Sequence, residues 1–103
     1  MAWRERFYER RLKRPVDDQK FEAIRQEFLR RKHEIPVSTE LFRHPSKPEV
    51  TIRSKWLSFI VQFDEEVMRV DAELTLAAKM MATKENRRLA IAFIERVAED
   101  LDL

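Results

Sequence analysis

Apolar positions recur along this chain at spacings that predict four helical segments around one irregular middle. In residues 2–13, Trp3, Phe7, Tyr8 and Leu12 lie three to four apart or adjacent, the stripe of a short amphipathic helix. Pro15 ends it, because Arg14, the residue before a proline, is pushed out of the α region. Residues 18–34 place Phe21, Ile24, Phe28 and Leu29 on one face. Asp17 or Asp18 caps this second segment by accepting free N–H groups of the first turn. Arg30, Arg31 and Lys32 suit the negative end of its dipole, and Pro36 stops it after Ile35.

Residues 35–53 hold Pro36, Pro45 and Pro48 and read as an irregular connection with local structure. One capped turn is expected over 38–43. Residues 49–53 are expected to be extended, because Val50 and Ile52 share one side.

The strongest periodic signal covers residues 54–82. Trp56, Ile60, Phe63, Val67, Val70, Leu74, Ala77 and Met81 recur at alternating steps of four and three, a heptad seam widened by Leu57, Val61 and Met68. One helix over this range would be about 43 Å long at 1.5 Å per residue. Residues 84–101 form the fourth segment, with Leu89, Ala90, Phe93, Ile94, Val97 and Leu101 on its apolar face. Thr83, three residues before Asn86, resembles its cap.

Together these segments predict an all-α single domain over 1–103. It is a three- to four-helix bundle around the long helix, with residues 1–14 as a basic-aromatic N-terminal helix, docked or as a mobile arm. Three shorter helices cannot cover a helix of that length on every side. Its exposed part is therefore expected to pair with a second chain, most simply as a homodimer.

Composition narrows the chemistry. The 103 residues include no Gly and no Cys, and 39% are charged. Without Gly, the chain lacks the residue on which phosphate-cradling loops, nucleophile elbows and tight hairpins lean. Without Cys there is no disulfide, thiolate zinc site or Cys nucleophile. His33 and His44 lie eleven residues apart, and no Glu-x-x-His or His-x-x-x-His spacing occurs. No serine is placed beside a histidine base by the sequence, and the adjacent carboxylates on the expected helices point to different faces. The expectation is a protein without catalytic, metal or cofactor sites and without an evident small-molecule substrate. No apolar run reaches the length of a membrane span, so a soluble cytoplasmic protein is expected.

Net charge is +2, unevenly divided. Residues 1–55 carry 15 Lys and Arg against 9 Asp and Glu, and residues 56–103 carry 6 against 10. Two partner classes follow. The first is a protein partner or second copy, taken through helix–helix contact on the long helix by Trp56, Phe59, Ile60, Phe63, Val67, Val70 and Leu74. The alternative is nucleic acid, with Arg4, Arg6, Arg10, Arg11, Arg14, Arg25, Arg30, Arg31 and Lys32 on phosphates and the N-terminal aromatics available for stacking. A weaker anion site is Arg53, Ser54 and Lys55 at the expected start of the long helix. Met68, Met80 and Met81 read as core filling, with an adaptable Met-rich surface as the lesser reading.

Overall fold

The computed structural model describes residues 3–34 and 38–103. It overturns the all-α expectation. The protein is a five-stranded antiparallel sheet with two principal helices on one face. The strands are β1 (Trp3–Arg11), β2 (Thr39–Arg43), β3 (Glu49–Ser54), β4 (Leu57–Phe63) and β5 (Val67–Leu74). The helices are α1 (Asp18–Arg31), α2 (Leu76–Met81) and α3 (Lys84–Asp100), with a short 3-10 turn at Lys32–Glu34. Strand order across the sheet is β1-β5-β4-β3-β2. The expected stop at Ile35 and Pro36, and the first residue of segment 2–13, lie outside the described residues.

Two helices form where the apolar pattern puts them. Asp17 caps α1, accepting from the Lys20 N–H at 2.8 Å, and Thr83 caps α3, accepting from the Asn86 N–H at 3.1 Å. Helix α1 has a topological task, because β1 and β2 sit on opposite edges of the sheet. Its 14 residues span about 21 Å, close to the roughly 19 Å between the outer strands of a five-stranded sheet.

The long heptad helix does not exist. Its residues form β4, β5 and α2, and the molecule's longest extent, 36 Å, is shorter than that helix would be. Two strict alternations underlie the apparent heptad. Leu57, Phe59, Val61 and Phe63 on β4 face the helices, as do Met68, Val70, Ala72 and Leu74 on β5. The heptad positions mix both faces: Phe63, Val70 and Leu74 point to the core side, while Ile60 and Val67 point to the other. Residues 3–11 are likewise neither helix nor arm. They pair with β5, turning Trp3 and Glu5 to the helix side and Arg4 and Arg6 away, with an irregularity at Phe7. The 38–43 turn is strand β2, whereas the extended reading of 49–53 matches β3.

The core lies between the sheet's inner face and the helices. Phe21 of α1 meets Phe63 edge-on at 5.4 Å, and Phe7 meets Phe59 in the same manner at 5.5 Å. The outer face is solvated and largely self-paired. Arg4 and Arg6 both bond Asp71, Arg69 bonds Glu9 and Asp64, and Gln62 bonds Glu49.

Tight hairpins form without glycine, correcting the exclusion drawn from composition. Each turn is closed by a side chain. His44 Nδ1 accepts from the Ser46 and Lys47 N–H groups at 3.1 and 2.9 Å. Ser54 Oγ donates to the Leu57 carbonyl at 2.8 Å, and Asp64 Oδ1 accepts from the Glu66 and Val67 N–H groups at 2.8 and 2.6 Å. Among the described residues one non-glycine adopts positive φ: Asp102, at 56°.

Candidate binding surfaces

The alternation that buries β4 and β5 leaves Trp56 in the β3–β4 turn, beyond the last paired residues Arg53 and Ser58. Its carbonyl accepts from the Thr75 N–H at 3.2 Å and from Thr75 Oγ1 at 2.9 Å. Thr75 also caps α2, accepting from the Ala78 N–H. These bonds anchor a six-residue helix beside Trp56. Ala78 is buried beneath α2, but Trp56, Leu76, Met81 and Met80 are 45%, 57%, 67% and 78% exposed. Water around that many large apolar groups in so short a stretch is unfavourable, which makes it a candidate contact surface. Cations rim it. Lys55 Nζ lies 5.2 Å from the Trp56 ring and Lys79 Nζ 5.9 Å from the Trp3 ring.

A second feature lies between the helices and the sheet. An apolar cavity of about 100 Å³ is walled by Ile24 and Phe28 of α1, Val61 and Val70 of the sheet, and Ile94 and Val97 of α3. Glu27 and Arg31 stand at its border. Arg31 bonds both Glu27 and Asp100, linking α1 to α3, while Arg30 also bonds Glu27. The Glu27 carboxyl is held below the usual carboxylate range, first by its hydrogen bond from Arg30 and then by that from Arg31.

Of the seven residues expected to bind a partner through a helix, only Trp56 is exposed. Ile60, Phe63, Val70 and Leu74 are buried within the chain, and Phe59 packs half-buried against the core. The nine cations of the nucleic-acid alternative are not gathered on one surface. Arg4, Arg6 and Arg11 project from the sheet's outer face, whereas Arg25, Arg30 and Arg31 lie on α1. Seven of the nine are in ion pairs: Arg4 and Arg6 with Asp71, Arg11 with Glu66, Arg14 with Asp102, Arg25 with Glu22, Arg30 with Glu27, and Arg31 with Glu27 and Asp100. The anion site expected at Arg53, Ser54 and Lys55 has no helix N-terminus behind it, because these residues end β3 and enter a hairpin turn.

Leu76 drew no notice in the sequence, and Met80 and Met81 read there as core. The signal was local. Three large apolar residues within six positions have only Ala78 between them and the sheet. No helix among the described residues is long and apolar enough to cross a membrane. The chain matches no protein-family model, no curated protein and no solved structure.

Proposed function

We propose that this chain is a non-enzymatic binding protein that docks an amphipathic segment of a protein partner on the surface formed by Trp56, Leu76, Met80 and Met81. The carrying observation is the exposure of Trp56 together with Leu76, Met80 and Met81, which lie on a short helix tied to the Trp56 carbonyl through Thr75. Methionines give such a surface an adaptable shape, and tryptophan is a frequent interface anchor. Lys55 and Lys79 select a partner with an acidic border. The same lysines disfavour a symmetric pairing of this surface with itself, which would bring like charges together. The contact is therefore no longer the helix–helix seam read from the heptad, and a hetero-partner replaces the homodimer as the preferred reading.

Five of the carboxylates held by cations are poorly suited to donate a proton near neutral pH. Glu22, Glu27, Asp64, Asp71 and Asp102 are all shifted downward, each with hydrogen bonds from a cationic side chain. A proton donor working near neutral pH needs the opposite shift. The nucleic-acid reading has weaker support, because most of the cations it requires already hold carboxylates. The absence of cysteine fits a cytoplasmic setting for this activity.

The test is affinity capture with the wild-type chain and with Leu76→Glu/Met80→Glu side by side, then reconstitution of each captured partner from purified components. The double variant should keep its thermal midpoint, since both side chains stand in water, and lose affinity at least tenfold. A folded double variant that binds the reconstituted partners equally well would overturn the proposal. Sedimentation of the wild type as a dimer that the double variant abolishes would replace the acidic partner with a second copy.

A further inference from the structure

The cavity beneath α1 and α3 is independent of the Trp56 surface. Its walls come from elements far apart in sequence: Ile24 and Phe28, Val61, Val70, then Ile94 and Val97. All six are hydrocarbon side chains. Such a space does not favour water, which needs two or more polar partners to be held.

The spacing of its roof is set by polar ties. At one end of α1, Lys20 Nζ donates to the Leu101 carbonyl at 2.7 Å. Near the other end, Arg31 reaches Asp100. The C-terminal end of α3 is thus held by two long side chains, one near each end of α1. Charged heads at the ends of flexible arms hold helices together without requiring their apolar faces to interdigitate. The turn after α3 fixes a further wall. Leu103 N–H bonds the Ala98 carbonyl and Asp102 N–H bonds the Glu99 carbonyl, both at 3.0 Å, which directs buried Leu103 into the lining.

The border charges decide the ligand's class. The Arg31 side chain is only 12% exposed and already serves two carboxylates, Glu27 and Asp100. It offers no unmatched charge to a fatty acid's carboxylate or to an organic cation. We infer that this cavity is a binding site for a small uncharged apolar molecule, seated between Phe28, Val61, Val70 and Ile94 beneath the Arg31–Asp100 tie. At protein packing density the space suits about four to six carbons. A longer chain would have to leave past Arg31.

The experiment is a titration of the full chain with benzene, followed by methyl-resolved NMR, with hexanoate as the charged comparison. Benzene should produce saturable shifts at the Ile24, Val61, Val70 and Ile94 methyls, and hexanoate should leave them unmoved at equal concentration. Val97→Phe, filling the cavity from a half-buried position, should weaken benzene binding at least tenfold. Val61→Ala, enlarging it, should strengthen binding severalfold and keeps the test open if the filled variant fails to fold. The absence of saturable shifts in the wild type would overturn the inference. So would shifts confined to Leu76, Met80 and Met81, or equal shifts with hexanoate. Because the Trp56 surface is not involved, Leu76→Glu/Met80→Glu should bind benzene as the wild type does.

Discussion

Glu5, on the inner side of edge strand β1, forms an ion pair with Arg87 of α3. Arg87 also lies 5.4 Å from the Phe7 ring and donates to the Ala82 carbonyl at 3.1 Å. The opposite edge repeats the device: Arg43 of β2 sits 4.3 Å from the Phe21 ring and bonds Asp18 of α1. Each outer strand therefore turns a charge inward to meet the helix packed over it. Inward charges on edge strands oppose the addition of a further strand, so the sheet's edges are poor docking sites.

Arg87→Met should cost more than its half-buried position suggests, because it strands the Glu5 carboxylate against the buried Ala72 neighbourhood. About 1–3 kcal/mol is expected from urea unfolding. Glu5→Gln/Arg87→Met should recover part of that loss. Additive costs in the double-mutant cycle would mean that the two residues are uncoupled.

Asp71 should control the acid limb of stability. Burial pushes its carboxyl upward, but the hydrogen bonds from Arg6 and Arg4 outweigh burial and hold it below its ordinary value of 3.8. Because the folded value lies below the unfolded one, the contribution is complete above the unfolded value and lost as pH falls through the folded value. Asp71→Asn should destabilise the chain by about 1–3 kcal/mol near neutrality. The gap to wild type should then close below about pH 4. A gap that is unchanged down to pH 2 would assign the loss to packing.

Asp64 does in the β4–β5 turn what glycine does in many hairpins, by satisfying backbone donors instead of relaxing φ. Asp64→Ala removes the acceptor for two N–H groups and one of the two carboxylates that Arg69 bonds. A lower thermal midpoint is expected, with faster amide exchange at Glu66 and Val67. Unchanged exchange at both amides would show that water replaces the carboxylate at no cost.

Asp102 occupies the left-handed position that closes α3. Asp102→Val should lower the thermal midpoint, since a β-branched residue tolerates positive φ poorly. Asp102→Gly relieves the backbone but loses the exposed ion pairs to Lys13 and Arg14, and should melt close to wild type. Thermal melts of the two variants give the ordering directly. A valine variant as stable as the glycine variant would remove backbone strain from the account.

The sequence by itself determined α1 and α3, because Asp17, Thr83 and the Phe21–Ile24–Phe28 stripe act within a few residues of one another. It determined the extended Val50–Ile52 pair for the same reason. Tertiary structure decided the rest. Segment 2–13 carries spacings compatible with helix and strand alike, and only pairing with β5, more than fifty residues later, makes it a strand. Residues 54–82 carry a heptad and an alternation together. The alternation prevails because it places eight apolar residues of β4 and β5 on the one face that the helices cover. The cavity and the exposed α2 surface were equally hidden, since both depend on which faces the helices cover, and that is fixed by contacts between segments distant in the chain.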